Sequence, residues 1–551
     1  MKKNWYYLIL IPGIMSMTSC HRKQYSDLII YNGHLRTLDE HNVIAGSMAV
    51  KDGRIIAIGN NSEILDKFNG SVMLDCQGKT VLPGFIDAHC HFYNYGLNRC
   101  TRADLRGTRS FREVLDTMKA WQEQHPSDWI QGRGWDQNDW EVKRFPDRRE
   151  LDSLFPVHPV ILIRVDGHAA LVNGEALKRA GITAQTKVVG GIIEVKNGVP
   201  TGMLIDNAID LVTDSIPAPG RDLQIRSLLT AQQACFKYGL TMVVDAGLQN
   251  AVVNLIDSLQ RTGKLKMRVD AMLLPSGENI RQYIDHGIYQ TDRLRVGSIK
   301  CYADGALGSR GATLLQPYSD DPGNYGMMLS EQAYYDSLCE KAYTAGYQMN
   351  THAIGDSAVR FILHTYATVL GGTNDRRWRI EHSQVVDPGD IGLYGRFNII
   401  PSIQSTHATS DMYWAGERLG KERLTHAYAC HDLLRQNGWL VNGTDFPIEE
   451  INPIFTFYAA VARKDLQGFP PGGFQMENAL SRDETIKSMT LWAAKGSFRE
   501  NEMGSLQVNK FADFVILDKD IMTIPEDEIP SVRILKTFLN GEEVYDAGIL
   551  R

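Results

Sequence analysis

Eight short apolar segments in the middle of the chain constrain its fold more than any other feature of the sequence. They lie at residues 81–91, 240–247, 267–274, 295–305, 347–355, 377–384, 397–404 and 439–447. Each has the length of a strand, and helix-like segments such as "SEQAYYDSLCEKAYTAG" separate most of them. Strands that alternate with helices predict a parallel sheet, and eight such strands predict an α/β fold of the (β/α)8 TIM-barrel type.

The gap between the first two of these segments is much longer than the others. It runs from His91 to Leu240, and a connection between a strand and a helix does not need that length. We therefore expect a large insertion after strand 1, at about residues 92–239, which covers the mouth of the barrel.

Both ends of the chain have a different pattern, with short β-like runs punctuated by Gly and Asn. These runs fill residues 27–82 and return in "KFADFVILD" and "RILKTFLNGEEVYDAG". The pattern predicts a small β-sandwich domain built from both ends, at residues 27–84 and 499–551. The barrel with its insertion then occupies residues 85–498.

The first twenty residues have the features of a secretory signal peptide. Lys2 and Lys3 precede a short apolar segment, which ends in small residues before Cys20. The ending "MTSC" resembles a bacterial lipobox, which implies a lipid on Cys20 and a short tether at residues 21–26. The expected location is then the cell envelope, on the periplasmic or surface side. Ordinary secretion with cleavage nearby is the alternative.

Charge and cysteine content exclude two classes of protein. The net charge of −7 and the lack of a long basic run do not favour nucleic-acid binding. Seven cysteines other than Cys20 are scattered along the chain, which is no disulfide framework. Cys90 lies between two histidines, but successive side chains on a strand point to opposite faces, so we do not expect it to bind with them.

Polar side chains occur where the predicted strands end. They are His89 and His91 at strand 1, Lys300 in strand 4, His352 at strand 5, His382 at strand 6 and Asp445 at strand 8. In this fold functional residues gather at the carboxyl ends of different strands. A single histidine there is usually a hydrogen-bonded structural residue, but four histidines with an aspartate predict a metal site. Lys300 adds a puzzle, because an unpaired buried ammonium group is costly.

Seven stretches carry a resemblance to a known family. They are "VLPGFIDAHCH", "GRGWDQNDW", "RVDGHAALVN", "IKCYADGALGSRGA", "NTHAIGD", "RIEHSQ" and "GTDFPIE". In this order they resemble the amidohydrolase superfamily of metal-dependent hydrolases, and the branch that includes the N-substituted formamide deformylases. The resemblance extends from Asp27 to about Asp546.

The resemblance implies two divalent metal ions, with zinc as the first candidate and manganese, iron or cobalt as alternatives. His89, His91 and Asp445 would hold one ion. A carboxylated Lys300 would bridge both, which would resolve the puzzle of its buried charge. His352 and His382 would complete the second ion's ligands.

The implied reaction is hydrolysis of an amide-type C–N bond, in a small N-formyl or N-acyl compound, by metal-activated hydroxide. Asp445 would take the proton from water as general base and pass it to the leaving nitrogen as general acid. Candidate substrate contacts are His168, Trp135, Asp136, Asp304, Arg310 and His407. For the first five, structural roles inside the insertion or in a loop ion pair stay open.

Two other functions are compatible with the sequence. A mononuclear deaminase of the same superfamily typically carries a Glu two residues after the strand-5 histidine, where this chain has Ile354. A lipoprotein that binds a small molecule without turnover is the other alternative, although all the ligand positions are filled. The substrate and the oligomeric state are not encoded in any motif.

The lipobox interpretation predicts that the mature protein carries lipid on Cys20 and partitions into the detergent phase. Several acyl chains on one residue anchor a protein far more firmly than one chain does. The measurement is detergent-phase partitioning of wild type and Cys20→Ala, with mass spectrometry of the mature N-terminus. An unlipidated wild-type N-terminus, or equal partitioning of the two proteins, would reject the anchor.

Overall fold

The computed structural model describes Met1 and residues 23–550. Cys20 and the rest of the predicted signal peptide after Met1 lie outside the described residues. In the part of the chain that is described, no helix is both long and apolar enough to cross a membrane.

The central sheet contains eight parallel strands, and a short strand, Tyr289–Gln290, pairs antiparallel with the fourth of them. The eight parallel strands are β1 (Phe85–Cys90), β2 (Leu240–Leu248), β3 (Arg268–Leu273), β4 (Leu294–Tyr302), β5 (Gln348–Ala353), β6 (Arg379–His382), β7 (Ile400–Ile403) and β8 (Val441–Asn442). They are hydrogen-bonded in chain order. Beyond β8, Asp445 N donates to the His89 carbonyl at 2.8 Å and His91 N donates to the Phe446 carbonyl at 2.9 Å. The sheet is therefore nearly closed, which confirms the TIM-type barrel expected from the sequence.

The strands are buried on both faces, and most of their residues are apolar, with polar and charged residues such as Asp270, Arg295 and Lys300 buried among them. Along β2, Val243 packs with residues of the surrounding helices, such as Leu228 and Val253. Its neighbours Met242 and Val244 belong to a different cluster that includes residues of other strands. Alternate residues of one strand thus fill two separate parts of the core.

Helices follow most of the barrel strands. Those after β1 and around the barrel are Phe92–Thr101, Arg221–Lys237, Asn250–Arg261, Gly277–Gln282, Gln332–Ala345, Asp356–Leu370, Gly392–Phe397, Ser405–Asp411, Ala415–Leu424, Cys430–Asn437, Pro453–Ala462, Arg482–Ser488 and Leu491–Gly496. Gly346 and Gly371 end two of them at φ of +76° and +69°, a left-handed conformation that glycine adopts without strain.

The long connection between β1 and β2 contains a sheet of its own. Its strands, in spatial order, are Gly191–Lys196, Val199–Asp206, Ala169–Val172, Val160–Arg164, Ile130–Trp135 and Ala103–Asp104. The helices of this region are Phe111–Gln124, Arg149–Leu154, Gly174–Arg179 and Asp210–Thr213. These elements follow β1 directly, so they begin at the carboxyl end of the barrel where the polar residues gather.

Strands from both ends of the chain share one sheet, in the order Glu542–Asp546, Ile534–Leu539, Phe514–Leu517, Thr80–Pro83, His34–Arg36 and Ile44–Ala45. A second sheet has the order Arg54–Gly59, Ser47–Lys51, Gln24–Tyr31 and Phe68–Asp75, with the helix Asn61–Lys67 beside it. Residues of both sheets, such as Ile30 and Phe514, pack in one cluster. The division of the chain into domains stays a prediction.

The first strand begins earlier than the sequence pattern indicates. Gln24–Tyr31 starts inside the segment expected to be a tether, because Gln24 already pairs with Phe68 in a parallel register. The seven cysteines of the described chain form no disulfide, and all but Cys100 are buried. Cys90 Sγ points to the Val244 carbonyl at 3.6 Å, away from the neighbouring histidines.

Candidate metal centre

The end of β1 presents two imidazole rings to one carboxylate. His89 and His91 are two residues apart on an extended strand, so their side chains leave on the same side. Their Nε2 atoms lie 3.6 Å and 3.2 Å from Asp445 Oδ1. One donor atom of each of these three residues lies within 4.8 Å of the others. The closure of the barrel thus brings ligands from its first and last strands together.

The donors of this group suit a divalent cation. Burial lowers the pKa of His89 to about 4 and also lowers the pKa of His91, so both rings are neutral and carry a free lone pair. Burial opposes ionisation of Asp445, but the neighbouring imidazoles of His407, His91 and His89 hold its pKa well below the usual range. Asp445 Oδ1 is buried and has no well-aligned hydrogen-bond partner among residues 23–550. This orphaned oxygen is what a bound cation satisfies.

Two further histidines face the same space. The rings of His352 and His382 are 4.5 Å apart, and the ring of His382 is 5.1 Å from that of His89. Burial holds the pKa of both well below the usual value. His382 lies at φ +76°, a left-handed conformation that is uncommon outside glycine and that clusters at functional sites.

His382 and His352 differ in their hydrogen-bond partners. His382 Nδ1 lies 2.6 Å from Gln404 Oε1, so a hydrogen bond fixes its ring and leaves Nε2 free. His352 Nε2 instead lies 3.4 Å from the Gly305 carbonyl. A second gathering of donors consists of His382, His407 and Asp445. Burial opposes protonation of His407, but hydrogen bonds to Asp445 and Glu449 raise its pKa well above the usual value, and a protonated ring cannot bind a metal ion.

Lys300 lies between the two sets of histidines. Its Nζ is 3.3 Å from His89 Nε2, and its side chain is buried. Burial lowers the pKa of Lys300 to about 8. A free amine is therefore accessible near neutral pH, and only the free amine reacts with carbon dioxide. Carboxylation of Lys300 stays a prediction.

Glu381 supports this centre and was not expected from the sequence. Its Oε2 lies 2.5 Å from His89 Nδ1 and accepts from Ser402 Oγ at 2.5 Å, while Arg379 Nε lies 3.1 Å from Oε1. Burial opposes its charge, but Arg379 and His89 lower the pKa of Glu381 to about 2. The carboxylate therefore keeps the proton of His89 on Nδ1 and turns Nε2 towards the centre. The signal in the sequence is an acidic residue inside a buried strand, in "RIEH".

One predicted residue of the insertion reaches the mouth of the barrel. The His168 ring is 5.0 Å from the ring of His352, and its Nδ1 lies 2.7 Å from Asp206 Oδ1. Burial opposes protonation, but Asp206 raises the pKa of His168 above the usual value. His168 thus lies next to a candidate metal ligand, with its ring oriented by Asp206.

Trp135 and Asp136 lie deeper in the insertion. The Trp135 ring is buried, stacks on Trp140 and donates to the Leu162 carbonyl at 2.9 Å. Asp136 forms an ion pair with the buried Arg164. Both placements fit the alternative of an interior residue of the insertion, and a role in substrate contact stays a prediction.

The residues after β4 and β7 take different positions. Asp304 accepts backbone N–H groups of Ile354 and Gly355 at 3.0 Å and 2.9 Å, which fixes the loop after β5. Arg310 pairs with Asp320 at 2.8 Å, the loop ion pair left open by the sequence. His407 Nε2 lies 3.4 Å from Asp445 Oδ2.

The fold is a TIM-type barrel, and histidines, a lysine and an aspartate lie together at the carboxyl ends of its strands. This combination is that of a metal-dependent hydrolase. The family model described as "Amidohydrolase family" matches residues 72–545. The chain therefore belongs to the amidohydrolase family, as its motifs predict.

Known relatives extend over nearly the whole chain. Protein LONG AFTER FAR-RED 3 of Arabidopsis thaliana is 32% identical, over 94% of this chain and 92% of its own length. The N-substituted formamide deformylase of Arthrobacter pascens is 27% identical, over 95% of this chain and 99% of its own length. A crystal structure of an uncharacterized metal-dependent hydrolase from Pyrococcus horikoshii is 27% identical and superposes with a TM-score of 0.74, covering 91% of this chain and 99% of that one.

The hydrogen bond between Glu381 and His89 predicts a specific loss. In Glu381→Gln the amide keeps the shape but weakens the orientation of His89, so we expect metal affinity to fall by about 10- to 100-fold. Competition with a chelator measures it. Glu477→Gln, at an exposed position, is the matched control. Unchanged affinity in folded Glu381→Gln would contradict the supporting role.

Proposed function

We propose that the protein hydrolyses an amide-type C–N bond of a small N-formyl or N-acyl compound, with Asp445 as general base and then general acid. One observation supports this most directly. Asp445 points Oδ1 at the two histidines of β1 and Oδ2 at His407. A carboxylate in that position can bind a cation and exchange a proton with a reacting group beside it.

The proposed ligand set is that implied by the family resemblance. His89, His91 and Asp445 would hold one divalent ion, and His352 and His382 the second, with carboxylated Lys300 as the bridge. Zinc is the first candidate, because neutral imidazoles and a carboxylate are its usual ligands. A bound divalent ion supplies Lewis acidity, which lowers the pKa of water and polarises a carbonyl oxygen.

In this reaction Asp445 would transfer the proton, and His407 would hold Asp445 in position. Asp445 takes the proton of the attacking water and delivers it to the nitrogen as the C–N bond breaks. His407 lies between two carboxylates, 3.4 Å from Asp445 and 2.9 Å from Glu449 Oε1. The rigid bridge from Glu449 through His407 keeps Asp445 in place while its protonation changes. His168 is placed to donate a hydrogen bond to the substrate at the opposite side of the mouth.

A mononuclear, deaminase-like hydrolase is the second candidate. The observation that favours it is the orientation of His352, whose Nε2 faces the Gly305 carbonyl at 3.4 Å. If that contact persists when metal binds, the second ion lacks a ligand. The number of ions per chain decides between the two candidates.

The proposal also assigns a location and a kind of partner. With lipid on Cys20, the hydrolase would act on small molecules at the cell envelope, and nucleic acid is not expected as a partner. Cys20 lies outside the described residues, so the proposed lipid anchor rests on the sequence alone.

Asp445→Asn separates proton transfer from metal binding. The amide keeps an oxygen for coordination but cannot accept the proton, so turnover should fall by about 10²- to 10⁴-fold or more while some metal remains. His382→Ala removes a ligand instead, and its loss of activity should follow its loss of metal. The measurement is turnover of a panel of N-formyl and N-acyl compounds, with metal content determined for each protein.

Asp116→Asn, on an exposed helix position, is the matched control for the change of charge. Equal turnover by wild type and Asp445→Asn at equal metal content would reject the role of Asp445. No turnover of any C–N substrate by metal-loaded wild type would favour the small-molecule-binding alternative.

A further inference from the structure

Two arginines of the insertion, Arg102 and Arg133, are half-buried and have no carboxylate partner among residues 23–550. Arg102 Nε donates to Gln131 Oε1 at 3.1 Å, and Arg133 Nη2 donates to the Val165 carbonyl at 3.2 Å. Arg133 Nε is buried and has no hydrogen-bond partner in the same part of the chain. Neither guanidinium group forms an ion pair within the described residues, and Arg133 Nε keeps a donor without an acceptor.

The sheet of the insertion directs Arg133 away from its own core. In the strand Ile130–Trp135, Ile130 and Gly132 face the packed side, where a Cβ on Gly132 would lie 2.6 Å from Met118 Sδ. Side chains alternate along a strand, so Arg133 leaves on the other face. Its backbone pairs with Asp104 of the neighbouring strand.

The guanidinium group of Arg133 lies beside the loop that carries His168 towards the candidate metal centre. A Cβ on Gly167 would lie 3.5 Å from Arg133 Nη2, and the next residue, His168, places its ring 5.0 Å from that of His352. On the other side, Arg106 Nη1 contacts Glu450 Oε1 at 2.8 Å, in the loop that follows Asp445. Arg133 thus lies beside the loop of His168, and the next residue in its strand, Gly134, packs on Arg106, since a Cβ there would lie 2.6 Å from Arg106 Cγ.

The nearby carboxylates are engaged elsewhere. Asp104 pairs with Arg106 at 2.7 Å, and Asp166 pairs with Arg164 at 2.5 Å. Asp445 belongs to the metal ligands. An arginine left without an anion in a part-buried position is costly unless a ligand supplies the anion.

We propose that Arg133, with Arg102 behind it, binds a carboxylate of the substrate, so that the substrate class is N-formyl or N-acyl amino acids. This inference rests on the proposed hydrolysis of a C–N bond. The planar fork of a guanidinium group matches a carboxylate with two parallel hydrogen bonds. Arg133 would then set specificity, and the metal centre would act on the acyl group at a distance from it.

The experiment compares acids with their decarboxylated counterparts. The probes are N-formyl and N-acetyl derivatives of leucine and phenylalanine, in both configurations, and the N-formyl and N-acetyl derivatives of 3-methylbutylamine and 2-phenylethylamine. Metal-loaded wild type, Arg133→Met, Arg133→Lys and Arg102→Met are assayed for kcat/KM, and binding is measured by calorimetry. Arg149→Met removes an exposed arginine of the insertion and is the matched control.

We expect wild type to prefer the acids by about 10- to 100-fold, the range of a charge-assisted hydrogen bond. Arg133→Met should remove this preference, measured as the ratio of kcat/KM for each acid to that for its neutral counterpart. Arg133→Lys should keep part of the preference, and Arg149→Met all of it.

The outcomes separate this inference from the proposed function. Turnover of the neutral compounds by wild type with no preference for the acids overturns the role of Arg133 and leaves the hydrolase intact. Acids that bind more tightly through Arg133 but are never cleaved support the carboxylate site and overturn the hydrolase. If wild type neither binds nor cleaves any probe, both are rejected. If Arg133→Met fails to fold, the ratio of kcat/KM for the acids to that for the neutral compounds in wild type still tests the inference, because the absence of a preference overturns it.

Discussion

Asp445 N donates to the His89 carbonyl, and this hydrogen bond joins the end of the barrel to its beginning. Without it the residues of β1 and those after β8 would lie on the two edges of an open sheet. With it, three donor groups from the first strand and from the segment after the last strand meet within 4.8 Å. The metal centre is therefore a consequence of barrel closure.

Bringing these groups together requires their desolvation, and the surrounding residues determine how each responds. His89, His352 and His382 become neutral because burial disfavours their charged form. Glu381 stays charged because Arg379 and His89 surround it. The candidate centre therefore has uncharged nitrogen donors, an anionic oxygen donor and a supporting carboxylate. Burying these polar groups is costly unless a cation binds them.

Much of the fold and the candidate ligands were predictable from the sequence. The eight barrel segments are rich in apolar residues, and histidines at strand ends are local signals. Gln24 was not recognised as part of a strand, because its pairing with Phe68 depends on a distant segment. The support of His89 by Glu381 likewise joins residues far apart in the chain.

The insertion was the least predictable region. Trp135 lies in a conspicuous motif, yet its ring packs inside the insertion, whereas Arg133, in the same motif, lies beside Gly167 in the loop that carries His168. Which of two neighbours faces the barrel depends on how the inserted sheet is placed over it. One sequence contains no local signal for that placement.

Metal stoichiometry tests the account most directly. The measurement is the number of ions bound per chain when metal-free protein is titrated with zinc in the presence of bicarbonate, together with a crystal structure of the loaded protein. The account predicts two ions per chain, ligands from β1, β5, β6 and the segment after β8, and extra density on Lys300. One ion with an unmodified Lys300 would contradict the two-metal centre, and no bound ion would contradict the assignment of these side chains as ligands.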